Sequence, residues 1–421
     1  MRPSDFPRDE KFRDPRTPPF RDDRGIYHVF SYADVLTALR DSGSTFSRDP
    51  SGWLPPGPHA PTLDFMWLTE PITPDGRPGR HTALRAAAEP WLRTRAIREM
   101  EGVVQETAER LVTGVIEEGR GEFNLAEVAQ RFSLRVICQL VGIELERETW
   151  IREKVDEHMR STFSDMPVQW DLQSYFWQMV ARRLARPRDE LLDVLIRAWQ
   201  DGALSDAELL GYLNGLVMAG TDSTAASMVN TLALSAEFGF LDYARDVLDD
   251  DDALRDLIEE AVRFGAPFPA KPISVLRDCR LGGLDIPAGS TLYLWYAAAN
   301  RDEAVNGGVQ QADPRTFDPR RRPNMHLGFG RGRHYCLGAD LSRLEGRALV
   351  RELSTRLPDL KMSETRPFLR HAGITDWASD AWFTYDAERA AARSARSSLA
   401  AQPGLVAKLS RYQRRGSDST P

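Results

Sequence analysis

Residues 327–339 read Leu327-Gly328-Phe329-Gly330-Arg331-Gly332-Arg333-His334-Tyr335-Cys336-Leu337-Gly338-Ala339, and they run directly into a helical pattern, Asp340-Leu341-Ser342-Arg343-Leu344-Glu345-Gly346-Arg347-Ala348-Leu349. Glycines on alternate positions, Gly328, Gly330 and Gly332, give the backbone φ values closed to other residues and let it approach a flat partner without Cβ clashes. Cys336 stands where amides of the turn and of the following helix can donate to sulfur, a setting that favours thiolate over thiol. A lone cysteine in apolar company is ordinarily a small core residue. A glycine-rich turn before a helix ordinarily cradles a phosphate. The phosphate reading requires G-x-x-x-x-G-K-[ST], or a strand ahead of G-x-G-x-x-G with an acid about twenty residues on, and neither is present. The residues of the turn leave two readings of Cys336, a small core residue or a thiolate ligand to a metal centre.

The rest of the chain sets bounds on that reading. A length of 421 residues allows two or three domains, yet no linker-like stretch divides the body. Hydrophobic residues at 42% and charged residues at 28% suit a globular enzyme with a sizeable core. An odd set of cysteines, Cys138, Cys279 and Cys336, argues against a disulfide framework and for a reducing compartment. The net charge of -7 gives no reason to expect nucleic acid. The charged, proline-broken start, Met1 to Glu10, lacks the apolar core of a signal peptide or anchor. The apolar run from Leu209 to Phe238 is interrupted by Asn214, Asp222 and Asn230, so it reads as a long buried helix rather than a membrane span. A cytoplasmic protein without membrane contact is expected.

Residues 1–25, rich in Pro and Arg, are expected to be irregular. Ile26 to Phe30 reads as a strand, and Ser31 as the N-cap of a helix to Arg40. From Arg48 to Pro78, Pro and Gly crowd around Trp53, Leu54, Phe65, Met66, Trp67 and Leu68. Such a loop either packs onto the core or covers a ligand. His81 and Arg85, four apart, share one helical face and suit an anionic partner, although such a pair is more often simply solvated. Helical patterns follow over roughly 97–118, 124–141, 146–163, 168–186, 187–200 and 205–239, which makes the class mainly α with a small β region. At the centre of the last lies Ala219-Gly220-Thr221-Asp222-Ser223-Thr224. Its carboxylate and hydroxyls are costly to bury and can open a groove in the helix. Glu260 and Arg263, three apart on another helix, share a face. Leu281 to Leu294 reads as strand, tight turn and strand. The Ala/Arg/Ser-rich tail, 387–421, reads as disordered or a loose helix.

The pattern F-G-x-G-x-H-x-C-x-G is complete from Phe329 to Gly338 and resembles the cysteine loop of the haem-thiolate monooxygenases, the cytochromes P-450, of soluble bacterial type. The resemblance spans about residues 26–386 as one catalytic domain and rests on four elements in the correct order. It implies a fold in which haem b, iron protoporphyrin IX, lies between the long helix and the helix after Cys336. Cys336 is then the iron ligand, with Phe329, Gly330, His334 and Gly338 in the cofactor loop. His81 and Arg85 would hold a haem propionate. Ala219, Gly220, Asp222, Ser223 and Thr224 resemble the A/G-G-x-D/E-T segment on the oxygen-binding side, where Ser223 takes the usual threonine position. Glu260, Arg263 and Arg321 would lock the loop under the haem. One departure is marked: the place where bacterial members set a propionate-binding arginine falls on Ile273, which leaves Lys271, or His334 with His81 and Arg85, to carry that charge.

An axial thiolate favours O–O cleavage, so the implied reaction is insertion of one oxygen atom from O2 into a small organic substrate, by hydroxylation or epoxidation, plausibly in secondary metabolism. Electrons would come from a small acidic ferredoxin and its reductase, docking on Arg331, Arg333, Arg93 and Arg98. The alternatives are a haem-thiolate enzyme without monooxygenase chemistry, such as a peroxygenase, an isomerase or an oxidative-coupling enzyme, and a non-catalytic haem sensor. Retention of Asp222 and Ser223 argues against the former, because those reactions need no proton relay. The loops that select a substrate carry no transferable code.

Overall fold

A computed structural model describes residues 2–5, 9–41, 43–48, 80–160, 169–188, 190–307, 312–372 and 376–400. The aromatic loop beyond Arg48, the segment 161–168 and the tail beyond 400 lie outside the described residues, so the expectations placed on them are not addressed.

The long helix, Asp206–Glu237, is the axis of the molecule. Ser205 caps it by accepting from the Glu208 amide, and the Glu208 carboxylate accepts the Ser205 amide in return, a reciprocal box that satisfies two otherwise orphaned donors. Its moment is small because nearly every face is apolar and covered. It packs most intimately on helix Leu125–Val141. At the crossing, a Cβ on Gly220 would stand 2.8 Å from Ile137 Cδ1, and Ser133 Oγ donates to the Thr221 carbonyl at 2.9 Å. Gly220 is thus required for helix–helix approach. Helices Glu101–Glu118, Asp251–Gly265 and Ala339–Arg356 complete a core to which Val104, Phe132, Tyr212, Leu257 and Leu349 contribute. The remaining central helices are Glu148–Arg160, Trp170–Ala185 and Leu191–Gln200, close to the expected spans.

Twelve short strands are found among the described residues: β1 Phe20–Arg21, β2 Tyr27–Val29, β3 Phe46–Ser47, β4 Glu122–Asn124, β5 Lys271–Val275, β6 Cys279–Leu281, β7 Leu284–Ile286, β8 Thr291–Leu294, β9 Lys361–Met362, β10 Leu369–Ala372, β11 Asp376–Asp380 and β12 Trp382–Thr384. The largest sheet runs β1-β2-β8-β5-β3. It holds a second, smaller core that includes Val29, Phe46, Ile273 and Leu294. The span 281–294, expected as one strand–turn–strand, is divided between two sheets: β7 pairs with β6 through Gly282 and Gly283 at φ +58° and +81°, the left-handed values that a two-residue hairpin turn demands, while β8 pairs with β2 and β5.

Both chain ends carry more structure than their compositions suggest. The N-terminal segment forms short 3-10 turns at Pro3–Asp5 and Glu10–Phe12, and adds β1 to the sheet. Stacking of Phe12 on Trp295, with ring centroids 4.1 Å apart, holds it there. In the tail, residues 387–400 are helical. Buried Ala390 and the bond from the Tyr385 hydroxyl to the Val115 carbonyl at 2.8 Å seat it against helix Glu101–Glu118. Among the described residues, no helix is long and apolar enough to cross a membrane.

Candidate functional site

The cysteine loop is a tight hairpin-like turn. The Cys336 amide donates to the Phe329 carbonyl and the Gly330 amide to the Leu327 carbonyl, both at 2.8 Å, and Gly332–His334 forms a single 3-10 turn. Gly330 and Gly332 both sit at φ +72°, a conformation that penalises any side chain. The alternating glycines do not all serve a flat partner. A Cβ on Gly332 would come within 2.8 Å of the Leu39 carbonyl, and one on Gly328 would run into Val262, so these two let the loop settle against helices Tyr32–Arg40 and Asp251–Gly265. Gly338 is different: a Cβ there would meet no protein atom within 4 Å, and it opens helix Ala339–Arg356 directly after the sulfur.

The Cys336 side chain is exposed. Burial pushes its thiol pKa up, while the Gly338 amide donated to sulfur and the charges of Arg343, Lys271 and Arg85 oppose that shift. Burial wins, so the amides alone do not ionise the thiol. A metal cation bound at sulfur deprotonates it outright. Cys138 is buried, with its thiol pushed up to about 12, and belongs to the helical core.

Beneath the loop, Glu260, Arg263 and Arg321 come together. Arg263 Nε and Nη2 meet Glu260 Oε2 and Oε1 at 2.6 and 2.7 Å, and Arg321 Nε stands 3.4 Å from Glu260 Oε1. The guanidiniums then spread outward. Arg263 donates to the carbonyls of Asn300, Pro314 and Thr316 at 2.8 to 2.9 Å, and Arg321 to those of Asn306 and Ala312 at 2.7 and 2.9 Å. Asn300 bonds back to the Arg263 carbonyl and accepts the Leu327 amide at 2.7 Å, joining this framework to the first residue of the cysteine loop.

A second support was not evident from the sequence. Glu259, beside Glu260, receives His326 Nε2 at 2.7 Å and Arg343 Nε at 2.5 Å. The Gly328 amide donates to His326 Nδ1 at 3.2 Å, so Nε2 carries the ring proton and donates to Glu259. Arg343 also lies over the Phe329 ring, 4.5 Å from its centroid, and reaches the Tyr335 hydroxyl at 3.2 Å. Burial raises the Glu259 pKa, but the bonds from His326 and Arg343 outweigh it and hold the carboxyl at about 2. The signal was the Glu-Glu pair and the histidine three residues before Phe329, neither of which has a meaning until the loop is folded.

Cations gather on the other flank of the loop. The His81 and His334 rings lie 4.2 Å apart between centroids. Burial and the neighbouring charge of Arg333 push His81 down to about 4, and burial with Arg48 pushes His334 far down. Two donors kept neutral among cations form a setting that calls for an anion. Arg85 donates Nη1 to the Tyr335 carbonyl at 2.9 Å and lies 3.8 Å from Glu89, so it ties its helix, Arg80–Leu92, to the loop. Lys271 is driven down to about 7 by burial and by Arg48. Arg48, just past β3 and passed over in the sequence, is buried with Nη2 lacking a hydrogen-bond partner. Arg333 turns Nε and Nη2 inward, whereas Arg93 and Arg98 are exposed.

On the long helix, every residue from Leu209 to Ser235 is buried except Ala219, Gly220 and Ser223. Ala219 and Ser223 are one turn apart, so they form a single open stripe. Ser223 Oγ donates to the Ala219 carbonyl at 2.8 Å, while Asp222 and Thr224 are buried to either side. The open thiol on its glycine turn, the open stripe and the cation-lined flank fit a haem: a single sulfur donor for iron, small residues to admit a flat ring, and cationic N–H groups, the buried Arg48 Nη2 among them, for its carboxylates.

The comparisons agree with this geometry. A cytochrome P450 family model matches residues 252–353. Cytochrome P450 126 of Mycobacterium tuberculosis is 33% identical over 84% of this chain and 86% of that protein. The erythromycin C-12 hydroxylase of Saccharopolyspora erythraea is 29% identical over 85% of this chain and 88% of its own length. The crystal structure of HmtN, a post-tailoring hydroxylase of himastatin biosynthesis, superimposes with a TM-score of 0.75 at 27% identity, covering 92% of this chain and 100% of that one. With a glycine-turn cysteine anchored to a buried Glu–Arg–Arg framework, an open stripe on the longest helix and these relatives across most of its length, the chain belongs to the cytochrome P450 family.

Proposed function

We propose that this chain inserts one oxygen atom of O2 into a small organic substrate, by hydroxylation or epoxidation, with haem b as cofactor and electrons delivered by a ferredoxin and its reductase. The observation that carries the reading is the open Cys336 thiol, held between two buried charge networks that leave the loop no freedom to turn it away. When bound through sulfur, haem supplies one-electron and O2 chemistry, and the thiolate's electron density favours O–O cleavage.

The chain's own residues do the rest. Cys336 is assigned as iron ligand. Phe329, Gly330, His334 and Gly338 shape the loop, and His81 and Arg85 are placed to receive a carboxylate. Ala219 keeps the long helix low over the ring, and Gly220 lets helix Leu125–Val141 back it closely. Ser223 Oγ gives its single proton to the Ala219 carbonyl, so its lone pairs are what it offers to the open side, and it acts there as an acceptor for a water O–H. Asp222, buried next to it, is assigned to pass protons inward to that water. Glu260, Arg263 and Arg321 act only through the loop they hold.

Hydroxylating relatives that include enzymes named for erythromycin and for himastatin support a substrate from secondary metabolism. The test is to supply ferredoxin, reductase and isotopically labelled O2 with compounds that displace the water ligand, detected as a Soret shift. One labelled oxygen atom per product molecule is expected. Reductant consumption without labelled product for every compound that shifts the Soret band would overturn the assignment.

A further inference from the structure

The pairing of β3 with β5 places Phe46 opposite Val275 and Ser47 opposite Ser274. One more step of that antiparallel register sets Arg48 across from Ile273. Ile273 is the apolar residue found where an arginine was expected, and it is fully enclosed in the smaller core. Arg48 is only 8% exposed. It lines a small cavity with Phe46, Ile273, Leu294 and His334. Its Nη2 has no hydrogen-bond partner, and the guanidinium lies within interaction range of the buried Tyr296 hydroxyl, whose own O–H finds no acceptor. No carboxylate among the described residues is paired with it. A buried guanidinium with unused N–H groups is costly unless something negative completes it.

The surroundings say which anion. His334 lies two residues before the sulfur ligand and shares the cavity with Arg48. Lys271, on the strand opposite, is close enough for its charge and that of Cys336 to be felt by one another. An anion at Arg48 therefore sits at the rim of the Cys336 site and not in a separate pocket. A guanidinium fork and a phenol hydroxyl are matched to a carboxylate, which accepts two parallel N–H bonds and a third from O–H.

We propose that Arg48 and the Tyr296 hydroxyl bind a haem propionate, so that the cation of this subsite has crossed from β5 to its neighbour β3, leaving Ile273 as the apolar half of the exchange. This rests on the haem reading above. Lys271 and the two histidines complete the same anion site but do not replace the arginine, because a single ammonium lacks the planar fork that meets both oxygens of a carboxylate.

The test compares purified holoenzyme variants by the rate at which haem passes to an excess of a haem-scavenging apoprotein, followed at the Soret band. Arg48→Met is expected to lose haem about ten- to a hundredfold faster, the size of a lost charge-assisted hydrogen bond to a buried group. Its reduced carbon monoxide complex is expected to keep its band position, since sulfur ligation is untouched. Arg48→Lys is expected to fall between. Adding Ile273→Arg to Arg48→Met returns the cation to β5 and is expected to slow haem loss again, an outcome that a merely structural role for Arg48 does not produce. Haem loss at the wild-type rate in Arg48→Met, or no rescue by Ile273→Arg, overturns the proposal. An unchanged rate with weakened Soret titration by hexadecanoate but not by hexadecanol overturns it in favour of a substrate carboxylate. Wild-type protein that holds no haem in a pyridine haemochromogen assay refutes the cofactor reading itself, which none of the other outcomes does.

Discussion

Arg263 grips both oxygens of Glu260, at 2.6 and 2.7 Å, in a site where both side chains are 0% exposed. The pair resolves its own desolvation because every remaining N–H finds a carbonyl: Asn300, Pro314 and Thr316 accept from Arg263, and the Asp318 amide and Asn324 donate to Glu260. Removing one partner of such a pair typically costs about 3–5 kcal/mol. Glu260→Gln and Arg263→Lys are both expected to lower the unfolding midpoint and the haem content of purified protein. Arg263→Lys keeps the charge but not the planar fork, so wild-type melting in that variant would show that the carbonyl contacts contribute nothing.

Cys336→Ser and Cys336→His are each expected to abolish the strongly red-shifted Soret band of the reduced carbon monoxide complex. The structure makes this a test of ligation rather than folding, since the Cys336 amide and not its side chain closes the loop onto Phe329. Persistence of the band in either variant contradicts the ligand assignment.

Glu259 sets a pH dependence. Its carboxyl is held at about 2 in the folded chain against an ordinary 4.5, so in that interval the unfolded state binds the proton that the folded state refuses. The associated stability is present in full above pH 4.5 and is lost as pH falls toward 2; the shift corresponds to roughly 3 kcal/mol. Thermal unfolding followed from pH 6 to pH 3 is expected to fall more steeply for the wild type than for Glu259→Gln, which is already destabilised at neutral pH. Parallel curves for the two proteins would remove Glu259 from the account.

Much of the site could be read from the sequence because its chemistry is local. Cys336 and its glycines lie within one turn, Glu260 and Arg263 within one turn of helix, and the hydroxyls of the long helix are adjacent. What sequence spacing did not carry was contact across strands and between loops. Arg48 and Ile273 are far apart in the chain and meet only through the β3–β5 register. His326 gains its meaning only when helix Asp251–Gly265 presents Glu259 to it. The glycine reading erred for the same reason: Gly332 is constrained by the Leu39 carbonyl and Gly328 by Val262, neighbours that no local pattern announces. The tail's composition left disorder and a loose helix open, because alanine propensity is a weak signal until Ala390 has a surface to bury against.

Electron delivery by the proposed ferredoxin is expected to depend on charge, and the exposure of the arginines sets which of them could face it. Arg333 is drawn inward to the histidines, so an acidic partner would meet Arg331 and the exposed Arg98 instead, with Arg93 partly neutralised by Glu89 at 3.2 Å. Steering between exposed charges decays over a Debye length of about 8 Å at physiological ionic strength. Stopped-flow reduction by a ferredoxin is expected to slow with added salt, and Arg331→Glu with Arg98→Glu to slow it further while flattening the salt dependence. Arg333→Glu is expected to act mainly on haem retention. Rates indifferent to salt and to the double substitution would exclude this face.

The proton relay turns on which hydroxyl of the long helix is open. Ala219 and Ser223 form the uncovered stripe, whereas Thr224 is buried one position on, so Ser223 and not Thr224 is the candidate to hold a water. Its proton is committed to the Ala219 carbonyl at 2.8 Å, which leaves it an acceptor; a water held by it can orient a proton outward only if another group replenishes that proton. Asp222, 1% exposed and next in the chain, is the nearest acid in sequence. General acid catalysis is typically worth about 10² to 10⁴ in rate, so Asp222→Asn is expected to slow product formation by at least about a hundredfold with haem content unchanged. Ser223→Ala is expected instead to keep reductant consumption and divert it to hydrogen peroxide. Ser223→Thr, which restores the methyl that fixes the rotamer, is expected to retain coupling. Thr224→Val is expected to change neither coupling nor rate. If Ser223→Ala stayed fully coupled while Thr224→Val did not, the relay hydroxyl would be the buried one, and the helix would have to turn by about 100° per residue to present it, a rearrangement that loss of the Ser223–Ala219 bond alone does not produce.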